Sequence, residues 1–133
     1  MAPRREPAWL TRAVVEAIHQ LQLAQHGGLA GIRDEGALES AIGRPRHQWH
    51  YRKAKDLPAC AAAYGFAITQ NHAFVDGNKR TAFLAMFVFL AMNRADLAVP
   101  EEDAVATMLA VAKGDTDEAV LAAWLRDNVK RRR

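Results

Sequence analysis

The sequence has little cysteine, no long apolar run and neither of the common phosphate-loop motifs, G-x-x-x-x-G-K-[ST] and G-x-G-x-x-G. Its single cysteine, Cys60, excludes an internal disulfide and zinc sites of the Cys₂His₂ or Cys₄ kind. The longest apolar run, residues 82–92, is too short to span a bilayer, and the first residues lack the apolar core of a signal peptide. These absences predict an intracellular protein that makes no contact with a membrane.

The positive charge is concentrated at the C-terminal end. The formal net charge is +3, but residues 130–133 are all basic, and without them the charge would be −1. The chain has 133 residues, half of them hydrophobic and a quarter charged, which predicts one globular domain covering residues 1–133. We interpret residues 130–133 as a frayed basic end, and a nucleic-acid-binding arm is the alternative.

Hydrophobic periodicity and capping residues predict an all-α, compact helical bundle with no convincing strand. A second, short helix, opened by Asp34 or Glu35, is expected to end at Gly43 because Pro45 follows. A third helix is capped by Asp56 and runs to about residue 71. The first helix covers about residues 11–25, with an apolar stripe of Leu10, Val14, Ala17, Ile18 and Leu21.

Three more helices are predicted in the second half of the chain. The helix over residues 78–93 is apolar on nearly every side, which predicts a buried central helix. Pro100 begins the next helix and Gly114 ends it. Asp115 with Glu118 resembles a capping box for the last helix.

Two segments are predicted to be non-helical. Residues 44–56 mix five cations and two histidines with Trp49 and Tyr51 and show no helical stripe, so we expect an exposed loop or a short hairpin. Residues 95–100 are expected to form a turn, or at most a brief strand.

The segment NHAFVDGNKRT separates the third and fourth helices and carries chemically useful groups. The start of a helix offers unpaired backbone N–H groups and a partial positive charge, which suit an anion. Gly77 would let a phosphate approach the backbone, while Lys79 and Arg80 add positive charge. Asp76 supplies a hard oxygen ligand of the kind that Mg²⁺ prefers. Histidine is the side-chain type whose ordinary pKa suits proton abstraction near neutral pH, so His72 is a candidate base.

The same residues also have plainer interpretations. His72 would serve as the C-cap of one helix, and Asp76 or Asn78 would cap the next within a common turn. Phe74 and Val75 are expected to anchor the loop in the core. A base, a metal ligand and a phosphate site so close together favour transfer of a group from a nucleotide to a hydroxyl.

The nine residues HAFVDGNKR resemble the signature of the Fic/Doc superfamily, in its death-on-curing, or Doc, branch. The Fic pattern is H-P-F-x-[DE]-G-N-G-R, whereas the Doc pattern is H-x-F-x-[DN]-[AG]-N-K-R. Residues 23–46 are also similar to the N-terminal region of Doc toxins. The resemblance implies an all-helical toxin of a bacterial type II toxin–antitoxin pair, acting in the cytoplasm.

Carried over by position, the resemblance implies a role for each motif residue. His72 would deprotonate the target hydroxyl, and Asp76 would hold Mg²⁺. Gly77 and Asn78 would cradle the phosphates of ATP with backbone and side-chain groups, and Arg80 would hold them.

The resemblance also bears on which group is transferred. Lys79 stands where Fic proteins carry glycine, and in Doc-like proteins this lysine goes with an inverted nucleotide, so that the γ-phosphate is transferred instead of AMP. Phe83 stands where many Fic proteins have a second arginine. The implied activity is a protein kinase that modifies a Ser or Thr hydroxyl of elongation factor Tu. Transfer of AMP is the alternative, and a non-catalytic module that binds nucleic acid is a weaker one.

The implied partners follow from the same resemblance. Many Fic proteins inhibit themselves through [ST]-x-x-x-E-[GN], but here Gly31 stands four residues before Glu35. A separate antitoxin of the prevents-host-death type is therefore expected, with nucleic acid bound only through that antitoxin. Residues 44–56 would form a flap that holds the target peptide by main-chain pairing. Their cations would otherwise face ATP or an acidic partner, or the segment would be a solvated loop.

Overall fold

The computed structural model describes residues 5–51 and 53–132, so Arg52, Arg133 and residues 1–4 lie outside the described residues. Within this part of the chain the predicted all-α class is confirmed, with one small sheet added. None of the described helices combines the length and the apolar character needed to cross a membrane. The elements in chain order are α1 Arg12–His26, α2 Glu35–His50, α3 Leu57–Asn71, α4 Asn78–Met92, β1 Ala95–Leu97, α5 Glu101–Lys113, α6 Glu118–Asn128 and β2 Val129–Arg131.

Most helix boundaries coincide with the predicted capping residues. The side chains of Thr11, Asp34 and Asp56 each accept a hydrogen bond from the backbone N–H three residues further on. Pro100 precedes α5, and Gly114 ends it in the left-handed conformation. These boundaries were predictable because each depends on residues within one helical turn.

The start of α6 differs from the predicted capping box. Asp117, rather than Asp115, is the N-cap, and its carboxylate accepts from the N–H of Val120 at 2.8 Å. The backbone N–H of Asp115 donates instead to the carbonyl of Ala110, which closes the last turn of α5. Asp115 therefore belongs to the end of one helix and not to the start of the next.

The helix α3 lies at the centre of the structure, in contact with α2, α4, α5 and α6. Its mostly small side chains are almost all buried, and at Gly65 an added Cβ would overlap the side chain of Met86 in α4. The predicted burial of α4 is confirmed for the face that meets α3. Its outer face is open, since Phe87 is 40 % exposed and Met92 is 44 % exposed.

Two glycine substitutions test how closely α3 and α4 are packed. We expect Gly65→Ala to lower the free energy of unfolding by about 1–3 kcal/mol, because the new methyl group overlaps a buried methionine. Gly43→Ala is the matched control, since that helical glycine is exposed and no atom of the described residues lies within 4 Å of its Cβ position. We expect the control to raise the free energy of unfolding by about 0.5–1 kcal/mol. Urea unfolding measures both, and equal effects would contradict the close packing.

The helix α2 does not end at Gly43 as predicted, but continues through Pro45. A proline inside a helix removes one backbone hydrogen bond and crowds the preceding turn. Here the Pro45 ring is buried, and the Arg44 guanidinium beside it binds the Glu118 carboxylate of α6, with Nη2 2.6 Å from Oε1. These tertiary contacts outweigh the local cost, so the predicted loop or hairpin over residues 44–56 is wrong for the part that lies in α2.

The position of residues 44–56 also rules out the predicted flap. The segment leads into the N-terminal end of α3, where Asp56 is the cap, whereas His72 caps the C-terminal end. The two ends of this 15-residue helix are about 22 Å apart. Main-chain pairing beside His72 is therefore not available from this segment.

The C-terminal end is paired rather than frayed as far as the structure describes it. Lys130 and Arg131 lie in β2, which pairs antiparallel with β1, so that Lys130 faces Asp96. Arg132 continues this contact, because its backbone N–H donates to the Arg94 carbonyl at 2.7 Å and its Nε lies 3.2 Å from Asp96 Oδ2. The expected fraying is therefore wrong for residues 130–132, because acidic and carbonyl groups distant in sequence bind this part of the basic end.

Candidate active site

The candidate site lies on the loop that joins α3 to α4, residues 72–77, which we call the motif loop. The helix α3 ends at His72, whose φ of 48° and ψ of 47° place it in the left-handed region. Few residues with a Cβ adopt this conformation, although histidine is among the more tolerant. Arg33 stabilises the turn, since its Nε donates to the His72 carbonyl at 2.8 Å. The structure thus confirms His72 as a C-cap, and its role as a base stays a prediction.

The loop between α1 and α2 pairs with the motif loop through backbone hydrogen bonds. The N–H groups of Arg33 and Asp34 donate to the Ala73 carbonyl at 2.7 Å and 3.1 Å. The Val75 N–H donates to the Gly31 carbonyl at 3.0 Å. Because both loops are tied together by main-chain groups, the shape of the motif loop depends on the segment before α2 as well as on its own sequence.

Phe74 and Asn78 fix the motif loop from the inside. Phe74 is 1 % exposed, and its ring stacks on His19 with the ring centroids 3.8 Å apart. The side chain of Asn78 accepts from the Phe74 N–H at 3.1 Å and donates to the Phe74 carbonyl at 2.9 Å. The expected anchoring is thus confirmed for Phe74 but wrong for Val75, which is 45 % exposed. Because the side-chain amide of Asn78 is hydrogen-bonded within the loop, the backbone N–H is the group of this residue that is left to contact a phosphate.

The helix α4 begins without a side-chain cap. Its N-cap is Gly77, and the first bond of the helix runs from the Thr81 N–H to the Gly77 carbonyl at 3.0 Å. The N–H groups of Asn78, Lys79 and Arg80 come before this bond and have no carbonyl within the helix to pair with. In the part of the chain that the structure describes, the exposed side chains of Lys79 and Arg80 form no ion pair. This end of α4 is therefore a positively charged surface suited to an anion.

Asp76 is held beside the same helix start by three hydrogen bonds. Its Oδ1 accepts from the Gly77 N–H at 2.9 Å, and its Oδ2 accepts from the Leu29 N–H at 3.2 Å. Its backbone carbonyl lies 2.8 Å from Nε2 of His19. Both atoms of the carboxylate are thus oriented by backbone donors, one of which comes from the neighbouring loop.

The donor set fits Mg²⁺ only when a nucleotide supplies further ligands. Each carboxylate oxygen of Asp76 accepts one hydrogen bond and keeps a lone pair for a metal. Among the described residues, no group of three or more His, Cys, Asp or Glu side chains comes together as a metal cage. Mg²⁺ in nucleotide sites is commonly held by one or two carboxylates with phosphates and water. Asp76 beside an anion site meets that requirement.

A cleft of about 570 Å³ opens beside this helix start. Asp76 and residues 77–80 form its polar side, together with Glu101 of α5 and polar residues near the end of α1. His72 does not line the cleft, and its exposed side chain lies at the other end of the motif loop. The structure therefore brings the predicted metal ligand and phosphate residues together and leaves the predicted base outside the cleft. The apolar wall consists of Phe83, Leu84, Val105, Met108 and Leu109.

The sequence prediction missed His19 because the predicted apolar stripe of α1 was only partly right, with Leu10 and Ile18 buried but Ala17 exposed. The structure buries His19 and Gln22 beside Ile18 and leaves Leu21 48 % exposed. The inner face of α1 covers the motif loop, whose carbonyl groups accept hydrogen bonds from polar side chains. The signal in the sequence was a histidine and a glutamine at helical spacing next to apolar residues.

Comparison with known proteins places these features in a family context. A sequence model of the Fic/DOC family matches residues 9–90, which include both loops of the candidate site. The chain is 38% identical over 77 residues to the protein kinase doc of Escherichia phage P1, covering 58% of this chain and 61% of that protein. It is 38% identical over 105 residues to the toxin Doc of Mycolicibacterium smegmatis, covering 74% of this chain and 78% of that protein. The match to the phage protein thus spans less than two thirds of that relative's length.

Proposed function

The protein belongs to the Fic/DOC family, in the branch of the Doc toxins, and from this premise we propose that it is a toxin that acts as a protein kinase. Its reaction is transfer of the γ-phosphate of ATP to a Ser or Thr hydroxyl of a translation factor in the bacterial cytoplasm. The observation that carries the proposal is the uncapped start of α4, where Lys79 and Arg80 have no ion-pair partner among the described residues and Asp76 lies beside them. The name of the phage relative, a protein kinase, supports phosphate transfer.

Each motif residue has one task in this reaction. The backbone N–H groups of residues 78–80 and the guanidinium of Arg80 hold the phosphates. Asp76 would hold Mg²⁺, which would supply positive charge to neutralise the phosphates when the nucleotide is bound. His72 accepts the proton of the attacking hydroxyl as the oxygen bonds to the γ-phosphorus and the bond to ADP breaks. Because the exposed His72 side chain lies outside the cleft, this task requires the target hydroxyl to approach from that side of the motif loop.

Lys79 is the residue on which the choice between phosphate and AMP depends. It lies in the first turn of α4, where a cation is unfavourable to the helix dipole, so its presence favours a ligand of negative charge. Its place beside Gly77 at the cleft would narrow the phosphate site on one side. This supports an orientation of ATP that presents the γ-phosphate, and AMP transfer is the outcome expected of the opposite orientation.

Two substitutions separate the volume of Lys79 from its charge. We expect Lys79→Gly to lower γ-phosphate transfer about 10-fold, since it removes both the filled space and one charged contact to phosphate. Lys79→Met keeps the length of the side chain and loses only the charge, so it should retain more of the activity. Steady-state rates with labelled ATP measure both. Wild-type rates for Lys79→Gly would contradict a role for this residue in the site.

Inhibition by a separate antitoxin of the prevents-host-death type is part of the proposal. Glu35, part of the only Glu-Gly pair in the sequence, starts α2, where its carboxylate binds Arg12 with Oε2 2.6 Å from Nη2. Gly31, four residues earlier, cannot replace the Ser or Thr of an inhibitory motif. These two features support control by a partner rather than by this chain itself.

The nucleic-acid alternative finds less support in the charges of the molecule. Arg44 is ion-paired with Glu118, and Arg132 is ion-paired with Asp96. The basic stretches that motivated the alternative are thus partly neutralised by the protein's own acids. Binding of nucleic acid is expected only through the antitoxin.

A cell-free translation system tests the proposed target. Addition of the protein with ATP should stop protein synthesis, and fresh elongation factor Tu should restore it. Restoration by other factors but not by elongation factor Tu would identify a different target. Undiminished synthesis in the presence of the folded protein would contradict the proposal that this toxin is a kinase.

A further inference from the structure

His19 is a buried polar side chain for which the proposed reaction has no direct use. It is 3 % exposed, lies on the inner face of α1 and contacts two residues of the motif loop. Its ring stacks on Phe74 with an angle of 10° between the planes, and its Nε2 lies 2.8 Å from the Asp76 carbonyl. A carbonyl oxygen only accepts hydrogen bonds, so Nε2 of His19 carries a proton and donates. His19 therefore contacts the motif loop on both sides of Val75, through the ring of Phe74 and the backbone carbonyl of Asp76.

The segment between α1 and α2 holds the side chain of the same aspartate. The Leu29 N–H donates to Asp76 Oδ2 at 3.2 Å. The preceding residue, Gly28, has a φ of 120°, and a Cβ added there would lie 2.8 Å from Asp76 Oδ2. Only glycine allows this backbone conformation and this close approach together. Asp76 is thus held through its carbonyl by one element and through its carboxylate by another.

We infer that His19, Gly28 and Leu29 are positioning residues that fix the Asp76 carboxylate beside the start of α4. The inference rests on the proposed function, in which this carboxylate holds the metal of the nucleotide. A carboxylate that is already oriented loses less conformational freedom when Mg²⁺–ATP binds. Groups that orient a metal ligand typically change metal affinity or activity about 10–100-fold when they are removed.

Two substitutions of His19 distinguish the hydrogen bond from the stacked ring. His19→Phe keeps a ring on Phe74 but has no N–H to donate, whereas His19→Gln keeps a donor and loses the ring. We expect His19→Phe to raise the KM for Mg²⁺–ATP about 10-fold with a smaller change in kcat, and His19→Gln to recover most of this loss. His47→Phe is the matched control, because the ring of His47 contacts that of Tyr51 at the C-terminal end of α2, away from the motif loop.

The two neighbouring glycines provide an independent test of the carboxylate contact. Gly27 and Gly28 both have positive φ, so alanine strains the backbone at either position. Only at Gly28 would the new methyl group meet Asp76, since a Cβ at Gly27 has no atom of the described residues within 4 Å. Calorimetry with Mg²⁺ and a non-hydrolysable ATP analogue should show a loss of affinity greater than 10-fold for Gly28→Ala and a small loss for Gly27→Ala.

Hydrogen exchange of the Leu29 amide tests the positioning without any assay of transfer. We expect exchange of this amide to become about 10-fold faster in His19→Phe, as it should in Asp76→Ala, and to stay unchanged in His47→Phe. Wild-type exchange in His19→Phe would overturn the inference, whatever the kinetic results. If the wild-type protein transfers no phosphate, the proposed function fails, and the exchange rate still decides whether His19 and Leu29 hold Asp76.

Discussion

Replacement of His72 by asparagine is expected to slow phosphate transfer at least about 100-fold without unfolding the protein. A positioned general base typically raises the reaction rate about 10²–10⁴-fold, and asparagine cannot accept a proton at neutral pH. Asparagine tolerates the left-handed backbone of His72, so the hydrogen bond from Arg33 to the carbonyl of this residue should persist. Single-turnover transfer from γ-labelled ATP measures the rate, and circular dichroism with thermal unfolding verifies the fold.

The plain alternative for His72 is a helix cap and nothing more. In that case asparagine, a good left-handed cap, would leave the transfer rate unchanged. His47→Asn is the control, because this exposed histidine lies in α2, away from the motif loop. A wild-type rate in His72→Asn would remove the base from the mechanism, and a loss shared with His47→Asn would point to a general defect.

Replacement of Asp76 by asparagine is expected to have an effect of similar size. The amide has nearly the same shape, and its one oxygen can still accept from the Leu29 N–H, but its NH₂ group cannot accept from the Gly77 N–H. It has also lost the negative charge that attracts Mg²⁺. Loss of groups that only orient a metal ligand lowers metal affinity or activity about 10–100-fold. Loss of the ligand itself should lower them by at least the upper end of that range. Calorimetry with Mg²⁺ and an ATP analogue should show the loss in affinity, and labelled ATP should show the loss in rate.

Asp115→Asn is the matched control for this substitution. Asp115 is exposed in the turn between α5 and α6, where its backbone closes the end of a helix. Its substitution should change neither Mg²⁺–nucleotide affinity nor transfer. If Asp76→Asn retained both at wild-type levels, Asp76 would be a turn residue only, and the metal would have to be held elsewhere.

The predictable part of the fold is the part that short stretches of sequence determine. Thr11, Asp56 and Gly114 mark helix ends through hydrogen bonds or backbone conformations of one turn, and the structure places the ends there. Pro45 was misleading because a local rule predicted a break, while burial of its ring and the contacts of its neighbours keep the helix intact. A brief strand was allowed for residues 95–100, but the sheet was missed because its two strands are three residues long and pair across an intervening pair of helices.

The candidate site likewise has a part that a short stretch of sequence predicts and a part that depends on distant residues. The helix start after Gly77 and the cations that follow it could be located from nine residues of sequence, since all of them lie on one loop and one turn. The groups that hold Asp76 could not, because His19 and Leu29 reach it from more than 40 residues away in the chain. Such contacts depend on how α1 packs over the motif loop, and periodicity alone did not place His19 and Gln22 on the buried face of that helix.

Transfer of phosphate rather than AMP through the motif loop is tested most directly with ATP labelled at either the α or the γ position. Elongation factor Tu is incubated with the protein, Mg²⁺ and each labelled ATP in turn, with His72→Asn as the blank. Label should appear on the factor from γ-labelled ATP only, and the blank should show almost none. Label from α-labelled ATP would identify AMP transfer, and label from neither would contradict the proposed kinase.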